Sequence, residues 1–330
     1  VKTQNFVLLL IFNKNHPFKD KIPLFKGNYV SHMDHNNFVS VIINPESGAR
    51  LPNRYKDFIQ DYFKSQSQDA VIHETLDHSD ALAFIQSEKE RNSRFFVTVG
   101  GDGTINTVAS QLIDTEAVLM VVPTGSGNGL ARHLGIPIQF KRSIQLFEHH
   151  EVKRIDCGVM NDIPFFCTAG LGFDAEVAHR FAQKGRRGLT TYIETLIQEY
   201  WKYKPQEFVI EFEEQVLRPT SFLITFANSA QYGNNAFISP DAKIDDGFLD
   251  MCLISEFPQN LGPLLGLKVI TRRISTSSHY EMVRLKEAVV KRSAPGWAHF
   301  DGEPVYLPET LKFKVLPSVL NVCVPVANSR

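Results

Sequence analysis

The stretch Phe95-Phe96-Val97-Thr98-Val99-Gly100-Gly101-Asp102-Gly103-Thr104-Ile105-Asn106 decides the fold. Five β-favouring residues run into three glycines, one carboxylate and a helix-type sequence, which predicts a strand, a tight turn and a helix. Backbone approaches an anion closely only where no Cβ intervenes, and free N–H groups at a helix start complement negative charge. Asp102 cannot itself hold a phosphate. Its carboxylate suits a metal ion, or the proton or hydroxyl of a second substrate. The stretch therefore points to a nucleotide phosphate with a reaction at its end. It is not the dinucleotide fingerprint, because Asn106 stands where the third glycine would be, and it lacks the Lys–Ser/Thr of the P-loop. A glycine turn after a strand is common by itself, so its companions carry the argument.

Upstream, Phe38–Ile43 has a buried-strand pattern and stops at the turn-rich Asn44-Pro45-Glu46-Ser47-Gly48. Arg54 to Phe63 reads as an amphipathic helix. Ala70–Glu74 reads as a strand ending at Thr75, and Ser79 to Glu90 as a helix capped by Ser79. Downstream, the helix after Gly103 continues to about Leu112. Ala117–Val122 is a fourth strand, which runs into Pro123-Thr124-Gly125-Ser126-Gly127-Asn128-Gly129 and helical Leu130–Leu134. Strand–helix alternation predicts a parallel sheet covered on both faces. In such sheets the ligand crevice lies at the carboxyl ends of the strands. Three small, polar, glycine-bearing loops fall at that edge, and packing alone seldom asks for three.

After about residue 155 the texture changes to shorter apolar runs. Phe165–Ala169 leads into Gly170-Leu171-Gly172-Phe173-Asp174-Ala175. Phe208–Phe212, Ser221–Phe226, Phe248–Leu253 and Met282–Leu285 read as strands of an antiparallel sheet. Helices are expected at Tyr192–Tyr203 and Pro263–Arg273, the latter with Pro263 at its first position. The expected architecture is α/β: a parallel-sheet domain over 33–155, then a β-sandwich domain over 156–330 that completes a cleft. Residues 1–32 are expected to be an extension outside the fold, with an edge strand at Phe6–Phe12 as the alternative.

Composition excludes several classes. A net charge of −1 gives no general electrostatic case for nucleic acid. Cys157, Cys167, Cys252 and Cys323 are scattered without C-x-x-C spacing and read as reduced core thiols. The histidines form no H-E-x-x-H, so zinc hydrolysis has no support. The apolar run Phe6–Phe12 is far shorter than the ~20 residues of a membrane span and lacks a small-residue cleavage site. A cytoplasmic protein is expected.

The three loops together resemble the catalytic domain of diacylglycerol kinases and their bacterial and sphingosine-kinase relatives. The matching residues are Asn44–Gly48, Gly100–Thr104, and Gly125–Asn128 with Leu130-Ala131-Arg132. The second half adds Gly170–Ala175, Asp245–Asp250 and Asp301-Gly302-Glu303-Pro304. They occur in the family's order from residue 38 to about 325. Each motif is loose, and the ordered set is specific. The resemblance implies a two-domain lipid kinase, with a first domain like that of NAD kinases, a β-sandwich second domain and ATP in the cleft between them. It assigns the nucleotide to Asn44, Pro45, Glu46, Ser47, Gly48, Thr75, Gly100, Gly101, Asp102, Gly103, Thr104, Asn106, Thr107 and Ser126. It assigns a magnesium site to Asp246 with the backbone of Lys243 and Phe248, the proton acceptor to Glu303, and a carboxylate needed for turnover to Asp102. In one departure, Gly129 occupies a position that is acidic in many diacylglycerol kinases. That looks closer to sphingosine kinases and bears on the acceptor lipid.

The residues themselves suit phosphoryl transfer, which asks for positioning, charge neutralisation and a base for the acceptor hydroxyl. Asp301 and Glu303, separated by Gly302, can face one crevice as a turn or share one face of a strand. Paired carboxylates have a raised pKa, which suits a proton acceptor, so Asp301 joins Glu303 and Asp102 as a catalytic candidate. The bland reading of Asp301–Pro304 is a polar hairpin turn, and Asp245-Asp246-Gly247 also reads as one. An oxygen site there would suit magnesium, with a second ion carried by ATP. Asp156 and Asp174 are further carboxylates, and Asp174 can equally cap a helix beginning near Ala175. Lys184–Gly188 is a basic loop, and Leu261–Leu267 with Lys268, Arg272 and Arg273 suits an interfacial helix. Core packing is the plainer account of that apolar run.

The preferred reading is an ATP-dependent kinase for diacylglycerol or a related lipid, docked peripherally at the inner membrane face. A homodimer is among the assemblies open to it. Its rivals are a sphingoid-base kinase, an NAD kinase, and a non-catalytic sensor of nucleotide or lipid. Asp102, Asp246 and Glu303 together favour catalysis over sensing.

Overall fold

The computed structural model describes residues 38–47, 54–185 and 188–326. The expectations for residues 1–32 and for Gly48 lie outside them. The first half is built of β1 (Val39–Ile43), α1 (Arg54–Ser65), β2 (Ala70–Glu74), α2 (His78–Glu90), β3 (Phe95–Gly100), α3 (Asp102–Gln111), β4 (Val118–Pro123), α4 (Gly129–His133) and α5 (Phe140–Gln145). The four strands pair in the order β4-β3-β1-β2, all parallel. Every residue of β1 and β3 is buried, as a sheet covered on both faces requires. The expected strands and helices are present within a few residues. The α2 cap is a correction: Asp77, not Ser79, accepts the N–H of Asp80 at 2.9 Å, and Ser79 instead donates to Asp77. α5 had no signal strong enough to read, since its six residues make less than two turns.

The second half runs β5 (His150–Met160), β6 (Ile163–Phe165), β7 (Thr168–Gly172), α6 (Phe173–Gln183), α7 (Leu189–Tyr200), β8 (Gln206–Phe212), β9 (Gln215–Leu217), β10 (Thr220–Ala227) and β11 (Leu249–Ser255). It continues with α8 (Gly262–Ile270), β12 (Tyr280–Leu285), β13 (Glu287–Arg292), β14 (Gly296–Phe300), β15 (Glu303–Leu307) and β16 (Thr310–Pro325). One antiparallel layer is β15-β14-β7-β10-β11-β12; the other joins β9, β8, β13, β16, β5 and β6. Their inner faces form one apolar cluster in which Phe226 of β10 stacks on Phe313 of β16, ring centroids 3.8 Å apart. This is the expected β-sandwich. The run expected as one strand at Phe165–Ala169 is split into β6 and β7, because the N–H groups of Phe166 and Cys167 turn to a carboxylate instead of a ladder. All four cysteines are buried and unpaired.

The domain boundary expected at 155/156 falls inside β5. β16 is also shared. Its first residues pair with β13, and its later ones pair antiparallel with β5 and parallel with β4 at Asn321 and Val322. The chain end therefore returns to the first sheet, and 156–330 is not a self-contained unit. A bulge between Leu316 and Leu320 lets one strand serve both. Asp156, fully buried, holds that bend. Its carboxylate accepts the N–H of Ser318 and the N–H of Gly247, both at 2.7 Å, where φ is +54° and +74°. Burial raises its pKa, and these N–H groups pull it back. Asp156→Ala strands two N–H donors and is expected to cost roughly 2–4 kcal/mol of unfolding free energy in urea titration.

Candidate active site

The carboxyl ends of β1, β3 and β4 bring three loops together. Asn44 donates its backbone N–H to the Val99 carbonyl (3.0 Å) and its side-chain amide to the Thr104 hydroxyl (3.0 Å). Its Oδ1 accepts the N–H of Glu46, which shapes the turn through Pro45 to Ser47. Ser47 is buried and receives a hydrogen bond from the Thr124 hydroxyl at 3.0 Å, while the Thr124 N–H bonds to the Gly100 carbonyl. The glycines are required by contact. A Cβ on Gly125 would lie 2.7 Å from the Gly101 Cα, and one on Gly127 2.7 Å from an Asp102 carboxylate oxygen. Gly101 is the N-cap of α3 and, having no side chain, makes no capping bond to the first-turn N–H groups. A helix start of this kind can cradle phosphate oxygens with backbone rather than with lysine. Ser126 is exposed at the rim. Thr75 is buried, with N–H and hydroxyl both on the Ile43 carbonyl. Thr107 donates to the Gly103 carbonyl and meets the His78 Nδ1.

Asp102 sits where α3 begins. Its two oxygens accept the N–H groups of Asn128 (2.8 Å) and Gly129 (2.7 Å), so it ties α3 to the start of α4. Asn128 holds the left-handed conformation there (φ +53°) and its amide bonds the Gly125 carbonyl. Burial pushes the Asp102 carboxyl up to about 6, against those two N–H bonds, with Asp301 adding a like charge.

The expected Asp301–Glu303 pair is not what forms. Asp301 and Gly302, at φ +47° and +85°, are the two turn residues of the β14–β15 hairpin, which closes on the Phe300–Glu303 pair. The turn sends the two carboxylates apart. Asp301 points inward and accepts from Phe166 N–H (2.9 Å), Cys167 N–H (2.7 Å), Thr168 N–H (3.1 Å) and the Asn106 amide (2.8 Å). Burial raises its pKa and these donors oppose it. With four donors on two oxygens it has no lone pair to spare for a substrate proton, so its placement is that of a positioning residue. Asn106 likewise points away from the phosphate cradle, bonding Asp301 and the Pro164 carbonyl (3.0 Å). Glu303 is exposed and lies against the first turn of α3, its Oε1 2.8 Å from where a Cβ on Gly103 would be. The base candidate and Asp102 thus face one helix start from two domains.

The magnesium expectation places the ion on one carboxylate, Asp246, with the backbone of Lys243 and Phe248. Among the described residues no three His, Cys, Asp or Glu side chains converge. Asp246 spends Oδ1 on the Phe248 N–H (3.2 Å), and Arg284 stands 3.4 Å from Oδ2. Arg284 also pairs with Asp250 at 3.0 Å, and Lys153 with Asp245 at 2.9 Å. The Asp246 carboxylate is thus shared between the Phe248 N–H and Arg284, beside the backbone of Lys243 and Phe248 that the expected magnesium site would use.

Sequence reading missed a buried polar cluster beside the hairpin. The Asp174 carboxylate accepts the Thr225 hydroxyl (2.7 Å), lies 3.0 Å from His299 Nε2 and receives the Tyr232 hydroxyl (3.3 Å). A Cβ on Gly170 would collide with both Asp174 and His299. The signal was a histidine two residues before Asp301, near the end of the strand that leads into the hairpin. Asp174 also accepts the Ala175 N–H, but it is not the cap expected for a helix beginning near Ala175: α6 begins at Phe173 with Gly172 as its N-cap, and Asp174 lies in its first turn.

These geometries separate Asp301 from Glu303. Asp301→Asn is expected to lower stability by roughly 2–3 kcal/mol, because an amide donor then faces N–H groups, whereas Glu303→Gln changes it by less than about 1 kcal/mol. Urea unfolding of both variants checks this.

With the site in place, likeness to known proteins can be set against it. The diacylglycerol kinase catalytic domain matches residues 39–160, and the YegS C-terminal NAD kinase beta sandwich-like domain matches residues 167–324. A diacylglycerol kinase of Bacillus subtilis is 26% identical over 223 residues, covering 66% of this chain and 73% of that protein. A probable lipid kinase YegS-like protein of Chromohalobacter salexigens is 26% identical over 193 residues, covering 57% and 62%. A crystal structure of a diacylglycerol kinase from Bacillus anthracis superposes with a TM-score of 0.69 at 19% identity, covering 88% of this chain and 97% of that one. At that identity the superposition speaks for the fold alone. The two matched domains, in order and in the two halves described above, take in most of the described residues: the chain belongs to the diacylglycerol kinase catalytic-domain family and is a lipid kinase, a phosphotransferase.

Proposed function

We propose that this protein transfers the γ-phosphate of ATP to the hydroxyl of diacylglycerol or a closely related neutral lipid. The carrying observation is the approach of the Glu303 carboxylate to Gly103 in the first turn of α3, the turn that Asp102 begins. The phosphates lie on the backbone N–H groups of α3 and of the Gly125–Gly127 loop. Asn44 and Thr104 hold the neighbouring loop in register. Glu303 takes the proton of the acceptor hydroxyl as its oxygen bonds to the γ-phosphorus. The bond from phosphorus to the bridging oxygen breaks, and ADP leaves with that electron pair. A magnesium ion carried by the nucleotide supplies the positive charge that the backbone cradle lacks.

The departure at Gly129 has a local cause: a Cβ there would lie 3.1 Å from both the Cys167 sulfur and the Tyr232 carbonyl, so a larger side chain would need one of them to give way. One observation favours a neutral acceptor over a sphingoid base. Asp174, the buried carboxylate nearest the hairpin, is already engaged by Thr225, Tyr232 and His299 and offers no open charge to an ammonium group.

The test is transfer of labelled γ-phosphate from ATP with magnesium to diacylglycerol, monoacylglycerol, a sphingoid base, ceramide and free NAD. The lipids are presented in mixed micelles. Label is expected on diacylglycerol or monoacylglycerol; label on NAD or on the sphingoid base alone overturns the reading. Glu303→Gln is expected to lower kcat by at least about 100-fold. The pH dependence follows from Asp102. Its folded pKa, about 6, exceeds the ordinary carboxylate value of 3.8, so the native state binds the proton more readily than the unfolded chain. Its contribution to stability is therefore present at acid pH and is lost as pH rises through 6. Activity that needs the ionised carboxylate runs the other way, rising with pH to a plateau with a midpoint near 6. Asp102→Asn removes both the rise and the turnover.

A further inference from the structure

The outer faces of α7 and α8 are apolar and uncovered among the described residues. On α7, Leu189, Ile193, Leu196, Ile197 and Trp201 just beyond its end are exposed, Ile197 by 53% and Trp201 by 59%. At 100° per residue they occupy roughly 140° of the helix circumference. On α8, Leu264, Leu267 and Ile270 are exposed by 49%, 56% and 62% and recur at a spacing of three, on one side. Single exposed apolar residues need no explanation, but two helices with this pattern do.

The two faces adjoin. Both helices cover one apolar cluster, to which α8 contributes Leu265 and Val269, and α7 contributes Tyr192 and Tyr200. The Tyr200 hydroxyl donates to the Gln259 carbonyl, and its ring leaves no space for a Cβ on Gly262, the first residue of α8. α7 buries little of itself in doing so: Thr195 is its one buried residue.

Charge says what the face meets. Among the described residues, the segments 184–204 and 262–273 hold six basic residues against two acidic ones, in a chain whose net charge is −1. Arg272 and Arg273 are exposed directly after α8, with Arg272 over the Phe237 ring at 3.9 Å. Lys202 and Lys204 follow α7. Of the acids, Glu199 is paired with Lys202 (3.2 Å) and lies 3.9 Å from Arg180, while Glu194 sits at the edge of the apolar arc. An apolar stripe with a tryptophan at its end and a basic margin matches the boundary of an anionic bilayer, where apolar side chains enter and basic ones meet headgroups. A second copy of the chain would set like charge against like.

We infer that the joined outer faces of α7 and α8 are the surface on which this protein rests on an anionic lipid bilayer. The placement serves the site. α6 starts at the end of β7, the strand paired with β14, and the β14–β15 hairpin carries Glu303. Phe173, the first residue of α6, packs against Tyr200 of α7. One helix therefore separates the docking face from the cleft. The inference rests on the acceptor being a lipid, and its test keeps the two apart.

The experiment uses large vesicles of phosphatidylcholine with and without about a third phosphatidylglycerol. In a Trp297→Phe background Trp201 is the one tryptophan left. Its emission is expected to shift to the blue and to be quenched by lipid brominated near the headgroup, with anionic vesicles only. Ile193→Asp with Ile197→Asp is expected to weaken vesicle co-sedimentation at least about tenfold. Arg272→Gln with Arg273→Gln is expected to remove the preference for phosphatidylglycerol. All variants should keep their activity on acceptor lipid dissolved in detergent micelles, since none touches the cleft. Unquenched Trp201, or co-sedimentation unchanged by the α7 variant, overturns the inference while leaving the kinase reading to the micelle assay. A wild-type dimer that the α7 variant dissociates, with vesicle binding unaltered, assigns the face to a second copy and overturns it as well.

Discussion

Asp301 is the interaction on which the rest depends. Its carboxylate gathers three consecutive N–H groups of the 166–168 segment and the amide of Asn106, which belongs to the other domain. Burying a carboxylate costs several kcal/mol unless its lone pairs are filled, and here each oxygen has two donors. The bonds break the strand run between β6 and β7, fix the left-handed turn at the hairpin tip, and lock that tip to α3. Glu303, two residues on, reaches Gly103 only because the tip is held. The base candidate is thus carried by one domain and aimed by the other.

The glycines of the three loops answer to the same constraint from the opposite side. Gly101 and Gly125 bring two backbones into contact, Gly127 leaves space for the Asp102 carboxylate, and Gly103 for that of Glu303. Two acidic side chains then stand beside a helix start whose partial positive charge offsets part of their repulsion. Burial still lifts the Asp102 carboxyl to about 6. The site thus raises the cost of ionising that carboxylate, as is common where chemistry is done.

Much of the first domain was legible because each strand is a short apolar run with a glycine- or proline-bearing stop, and each helix has a 3.6-residue period. The four strands and the three loops at their ends follow from that pattern. The second domain was read less well. β13, β14 and β15 mix buried and exposed residues at short length, and β16 is interrupted by Pro317 and Ser318, so period and breakers point in different directions. β5 alternates with charged residues and runs across the expected boundary. Sequence also gave no sign that Asp301 and Glu303 diverge. Their spacing fits a strand and a turn equally, and only the positive φ at Asp301 and Gly302 decides between them.

What the sequence by itself determined is the order of elements, the family and the set of residues able to do the chemistry. These depend on local periodicity, on turn residues and on motifs, all of which are short-range. The tertiary structure decided which carboxylate serves which purpose. Asp301 became a clamp, Glu303 an exposed base candidate beside Gly103, Asp246 the partner of Arg284, and Asp174 the centre of a buried cluster with His299. The reason is physical: a carboxylate's role is set by which donors reach its lone pairs and by how much water it keeps. Those donors come from residues as far apart in the chain as 106 and 301.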